Sequence, residues 1–219
     1  MPQLIAMIIV VVGAMIYMFQ TFGGTGDKIE GVAQKGSIIT EINNIKDGVK
    51  IAARSGHIQI PTGTDPDAAK NLKGLATLSY FAEQINSQLT DTTNHSSNAN
   101  IYNAISFGGT VVTTATNNSA MKISLVSNVS KAIPGIYVDM SAGSLKDNAA
   151  FLEAQIATDL ASIATIDRHA TAATAGALPT TGTDLEQRTP ATTAPSDNSL
   201  TDGKFIIYFK DFGSNEVVK

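Results

Sequence analysis

The sequence predicts an α+β fold in which a long N-terminal helix, apolar in its first half and amphipathic in its second, packs on a small antiparallel sheet. Three observations carry that expectation. Leu4 to Phe19 is an unbroken apolar run. From Asp27 to Arg54 apolar residues recur every three or four positions, the period of one helix face. Short β-prone runs gather in the second half of the chain, the strongest being Phe205-Ile206-Ile207-Tyr208-Phe209.

The first element reads as a helix of membrane length. The sixteen residues from Leu4 to Phe19, or nineteen if Gln20 and Thr21 are passed to reach Phe22, make a helix of roughly 24 to 28 Å, close to the thickness of a bilayer's hydrocarbon core. A signal peptide needs a basic leading region and a small-residue cleavage site. Met1-Pro2-Gln3 before the run and Phe19-Gln20-Thr21-Phe22-Gly23-Gly24 after it supply neither. A signal anchor carries Lys or Arg on its cytoplasmic flank, whereas the first charged side chain here is Asp27. The expectation is that a charged leader is removed just before Met1, leaving a mature amino terminus at the end of an apolar helix.

Gly23-Gly24-Thr25-Gly26 interrupts that helix, since each Gly costs about 1 kcal/mol relative to Ala. The chain therefore divides into 1–26, an apolar helix with its glycine break, and 27–219, a globular domain. Gly23, Gly24 and Gly26 read as a hinge, because glycine lowers the cost of local melting, or else as a fixed kink. Residues 27–55 form the amphipathic helix. Ile29, Val32, Gly36, Ile39, Ile42, Ile45, Val49 and Ala52 are expected inward, with Lys28, Glu30, Lys35, Glu41, Lys46 and Lys50 around the other sides. Ser55-Gly56 and Pro61 stop it.

Residues 56–109 read as a helical connecting segment. Thr64 or Asp65 caps a helix with Pro66 in its first turn, and Leu72, Leu75, Leu78, Phe81, Ile85 and Leu89 form one continuous face. Asp91 to Asn100 is a loop by composition. Residues 110–219 hold the sheet and the C-terminal region. Thr110–Ala115 and Met121–Val126 read as a hairpin about Asn117-Asn118. Ser144 caps a helix running to about His169, with Leu145, Ala149, Leu152, Ile156, Leu160 and Ile163 on one side. Ala170 to Asp202, dominated by Thr, Ala and Pro, reads as a surface excursion without a core of its own. Phe205–Phe209 is expected at the centre of the sheet, paired with Met121–Val126, its Phe205, Ile207 and Phe209 packed under the amphipathic helix.

Composition narrows the chemistry. The net charge is −4, and residues 139–219 hold eleven acidic against six basic side chains. No concentrated basic face is available for nucleic acid. Cys is absent, which excludes disulfides, a thiolate nucleophile and Cys-ligated metal. His57, His95 and His169 have no ligand at metal spacing, the glycine cluster lacks the Gly-Lys-Ser/Thr ending of a phosphate loop, and no G-x-S-x-G stands in the chain. No catalytic, metal or cofactor residues are assigned, and no enzyme is expected. Asn94-His95-Ser96, Asn117-Asn118-Ser119 and Asn128-Val129-Ser130 match the N-glycosylation pattern. The Thr180–Thr201 stretch is open to O-linked sugar, with Thr180, Thr181, Thr189, Thr192 and Thr193 as candidate acceptors.

In its order of elements the chain resembles a type IV pilin, and most nearly the type IVb subgroup. Asn100-Ile101-Tyr102-Asn103, followed by Gly108-Gly109-Thr110-Val111-Val112, is similar to that subgroup's approach to its first strand. Met121-Lys122-Ile123-Ser124-Leu125, running into Val129-Ser130-Lys131-Ala132-Ile133-Pro134, is similar to the second strand and following turn. The resemblance implies a structural subunit that rests in the inner membrane, is handled by the pilus assembly machinery and polymerises with its own copies into a helical filament at the cell surface. Adhesion, motility or DNA-transfer contact would be the filament's role, and Met1 would be N-methylated. The assembly surface would comprise Met1, Gln3, Leu4, Ile5, Ile8, Val12, Gly13, Ala14, Met15 and Phe19, with Gly13 and Ala14 permitting close helix approach.

Two departures stand out. Ile5 occupies the position where most major pilins carry Glu, and Gln3 offers a neutral carbonyl instead. Without Cys the C-terminal disulfide loop is excluded, so residues 139–204 must be held by packing, with the helix from Leu145 as chief anchor. The other reading carried forward is a membrane-anchored, monomeric surface or periplasmic binding module.

Overall fold

The computed structural model describes residues 30–60, 70–91, 99–109, 119–179, 185–195 and 200–219. The apolar run, the glycine cluster, the helix start at Thr64-Asp65-Pro66 and the expected Thr110–Ala115 strand lie outside them. The chain divides into two units, Met1–Gly36 and Ser37–Lys219. Among the described residues no helix is long and apolar enough to cross a membrane. The architecture is α+β, with an open five-stranded antiparallel sheet.

Helix α1 spans residues 30–54. In the first unit, Gln34 Nε2 donates to Glu30 Oε1 over 2.9 Å, and Val32 is 60% exposed. In the second unit Ile38, Ile42, Ile45, Val49 and Ala52 are buried at intervals of four and three, the spacing of a single stripe. This corrects the expected face at its start. Ile38 rather than Ile39 is buried, Val32 and Gly36 are exposed, and Glu41 is buried. Val32, Gly36 and Ile39 sit one residue out of phase with the stripe, about 100° around the helix.

The single connecting helix resolves into two, α2 (Leu72–Thr77) and α3 (Glu83–Thr90). Asn71 Oδ1 caps α2 by accepting from Gly74 N at 2.9 Å. At its other end Tyr80 N donates to Leu75 O and Ser79 N to Ala76 O, with Ser79 at φ 60°; the bonds are those of a Schellman turn, with serine where glycine is usual. That reversal leaves Leu78 43% exposed, while Leu72, Leu75, Phe81, Ile85 and Leu89 reach the core. Gly48 of α1 permits the approach of this turn, since a Cβ there would stand 2.6 Å from Tyr80 O.

The strands are β1 (Tyr102–Asn103), β2 (Lys122–Val126), β3 (Gly135–Asp139), β4 (Ala164–Asp167) and β5 (Lys204–Phe209), in the order β1-β2-β3-β5-β4. The expected direct pairing of β5 with β2 is not made. β3 lies between them, with Leu125 opposite Ile136 and Ile136 opposite Ile207. The turn expected after the second strand ends at Pro134, and Gly135 begins the central strand at a place where a Cβ would stand 2.7 Å from the Tyr208 ring and 3.1 Å from Val126.

The helix expected from Ser144 to His169 is shorter. A 3₁₀ stretch, Gly143–Asn148, leads into α4 (Ala149–Leu160), and no side chain caps either. Leu145, Ala149, Leu152, Ile156 and Leu160 are buried as expected, but Ile163 is 49% exposed. Ala164-Thr165-Ile166 then turns into edge strand β4, where β-branched side chains suit a pleated surface and the Ile207 side of β5 offers a ladder.

Phe205, Ile207 and Phe209 join the core beneath α1, as expected. Ile206 and Tyr208 face the other side and are equally buried, in a smaller cluster with Val126, Tyr137 and Ala170. The Ala170–Asp202 stretch is therefore not wholly a surface excursion. Ala170, Ala173 and Ala175 close over this outer face.

Candidate functional site: the long helix and its anchorage

Three cations on α1, Lys46, Lys50 and Arg54, recur every four residues and so share one side of the helix. The C-terminal segment lies along them. Asp211 accepts from Lys46 at 2.8 Å and from Lys50 at 3.0 Å, and Lys50 Nζ also donates to Asp211 O at 2.7 Å. Glu216 accepts from Arg54 Nε at 2.8 Å, with a second bond from Nη2, and from Gly213 N at 2.7 Å. The lysine heads also sit over aromatic rings, Lys46 4.5 Å from the centroid of Phe209 and Lys50 5.7 Å from that of Phe212. Burial pushes the carboxyls of Asp211 and Glu216 up, but the hydrogen bonds and cations around them prevail and hold both below the usual range.

Beyond Glu216 the backbone continues the anchorage. Lys131 N donates to Val218 O at 2.8 Å and Val218 N to Ala132 O at 2.9 Å, while Lys219 N donates to Ile58 O at 2.8 Å. Arg188 adds bonds to the carbonyls of Gly213 and Phe212. A chain without cysteine thus holds this segment to its principal helix by ion pairs, and to Ile58, Lys131 and Ala132 by backbone bonds. In the described part of 139–204, α4 buries Leu152, Ile156 and Leu160, and its buried Glu153 accepts from Arg168 Nε at 2.8 Å and Gly203 N at 3.1 Å.

On the other flank of α1, buried Glu41 accepts from Tyr102 Oη at 2.9 Å and from Ser106 N at 2.8 Å. Burial, then the charge of Glu41, raise the Tyr102 hydroxyl far above its ordinary pKa. Both carboxylate oxygens are engaged, so the pair ties β1 to the helix. Two side-chain amides complete the same edge of the sheet. Asn100 Oδ1 accepts from Leu125 N at 3.2 Å and its Nδ2 donates to Leu125 O at 2.8 Å. Gln88 does likewise with Asn103, its Oε1 accepting from Asn103 N and its Nε2 donating to Asn103 O, each at 2.9 Å.

All ten residues assigned to the assembly surface, the hinge glycines, Thr180 and Thr181 lie outside the described residues. Thr189 is half-buried and Thr192 exposed, and Thr193 donates its hydroxyl to Asp167 at 2.8 Å. His57 shares a hydrogen bond with Tyr80 Oη. Among the described residues no group of three or more His, Asp or Glu is arranged to hold a metal ion. The C-terminal anchorage escaped the sequence reading, although the four-residue spacing of its cations and the acidic excess after residue 139 were its signals. Comparison with protein-family models, curated proteins and solved structures finds no match for this chain.

Proposed function

We propose that the chain is the structural subunit of an extracellular filament of the type IV pilus kind, polymerised through its N-terminal apolar helix, which rests in the inner membrane before assembly and in the fibre core afterwards. One observation carries the reading. In sequence the uncharged run from Leu4 to Phe19 precedes α1, which from Ile38 onward is the spine of an α+β unit closed by its C-terminal strand. An apolar helix withdrawn from a bilayer must bury its surface, and identical helices packed side by side provide that burial.

Shearing cells and examining the released material by electron microscopy tests the proposal, with fibres built of this chain as the expected result. Ala14→Lys places a charge at mid-span, which costs about 2.5 to 3.5 kcal/mol for insertion, and should abolish fibres while residues 37–219 still fold. A chain that stays monomeric in the membrane fraction would instead be the anchored binding module.

A further inference from the structure

We infer that the C-terminal segment 210–219 is an electrostatic latch on α1 that opens apart from the sheet, its outer half at Asp211 responding to salt and its inner half at Glu216 responding to acid. The ladders that join the five strands involve no residue beyond Phe209. Lys210 N donates to Ile163 O beside β4 at 2.9 Å and marks the fixed end of the segment. Beyond it, what holds the chain is the row of cations on α1, the bonds from Arg188 to Phe212 O and Gly213 O, four backbone bonds at Lys131, Val218, Lys219 and Ile60, and the buried side chains Phe212, Val217 and Val218.

The two carboxylates meet the same row in different surroundings. Asp211 has a side chain 44% exposed, whereas that of Glu216 is 5% exposed. Screening lengths fall from about 10 Å at 0.1 M salt to about 3 Å at 1 M, and the loss falls mainly on exposed pairs. Glu216 pairs with an Arg54 side chain that is 70% exposed, but it also accepts from Gly213 N at 2.7 Å, a bond that salt does not screen, so its release calls for protonation. The charged groups facing these carboxylates are Lys46, Lys50 and Arg54 from α1 and Arg188 from the 3₁₀ turn Leu185–Arg188. Because both acids are held below the ordinary range, their stabilisation is complete above the unfolded values near pH 4 and is lost as pH falls through the lowered folded values.

The test is hydrogen exchange on the full chain in non-ionic detergent, comparing the amides of Ile60, Lys131, Val218 and Lys219 with those of β3 and β5. Raising NaCl from about 0.1 M to 1 M at neutral pH should lower protection of the first set about two- to fivefold. Acidification to about pH 3 should lower it tenfold or more, while the strand amides hold. Asp211→Asn should remove the salt response and keep the acid response, and Glu216→Gln should reduce the acid response. Equal loss of protection in segment and strands, an unmoved segment, or an undiminished salt response in Asp211→Asn would each overturn the latch. The responses of the unmodified chain decide the matter even if Glu216→Gln does not fold.

Discussion

The two faces of the sheet are both shielded from water, yet they are covered by different means. The inner face meets α1, α2, α3 and α4 in one continuous apolar core. The outer face carries Val126, Tyr137, Ile206 and Tyr208 and is closed by residues 170–175, which form neither helix nor strand. A helix satisfies its own backbone and need only present a stripe. An irregular cover has to be pinned bond by bond. Tyr137 Oη donates to Thr171 O at 2.9 Å, Ala175 N to Asn128 Oδ1 at 3.0 Å, and Thr193 N to Asp167 Oδ2 at 2.7 Å. Tyr208 Oη is also buried here, with no hydrogen-bond partner among the described residues.

The largest effect should come from the inner face. Ile207→Ala leaves a cavity beneath α1 and should cost about 2 to 5 kcal/mol in denaturant unfolding of the full chain in detergent; a neutral result would remove Ile207 from the core. Next is Gly135→Ala, expected to cost about 1 to 3 kcal/mol because the added methyl meets Tyr208, Ile206 and Val126 at once. Tyr137→Phe removes a pin and leaves the Thr171 carbonyl unanswered, for a loss of about 0.5 to 1.5 kcal/mol and faster exchange across residues 170–175. Tyr208→Phe should be neutral or stabilising by up to about 1 kcal/mol, since it deletes a buried hydroxyl that has no hydrogen-bond partner among the described residues. If the two tyrosine variants behaved alike, the outer face would be held by packing, as the inner one is.

The same contrast explains what the sequence revealed. The inner face was legible wherever a period survived, as in Ile42, Ile45, Val49 and Ala52 of α1, in Leu152, Ile156 and Leu160 of α4, and in the alternation of Phe205, Ile207 and Phe209. It failed where two periods overlap, at Val32 and Gly36, and where a left-handed serine divides an apolar face. The outer cover was illegible because alanines in irregular backbone have no period. β3 was hidden because proline and glycine at its start signal a turn, and only the crowding by Tyr208 makes glycine the residue a strand requires there. The anchorage of Asp211 and Glu216 joins residues more than 160 positions apart, a distance that no local pattern encodes.

Gln88 carries a consequence for life at high local concentration. Exposed strand edges recruit further strands, and many chains of one kind crowded together are most at risk. The edge beyond β1 has its outward-facing donor and acceptor at Asn103 already occupied by an amide that cannot extend, because Gln88 belongs to a helix. Asn100 blocks the neighbouring step at Leu125 in the same way. Among the described residues, an incoming chain therefore finds the steps at Asn103 and Leu125 of this edge already bonded.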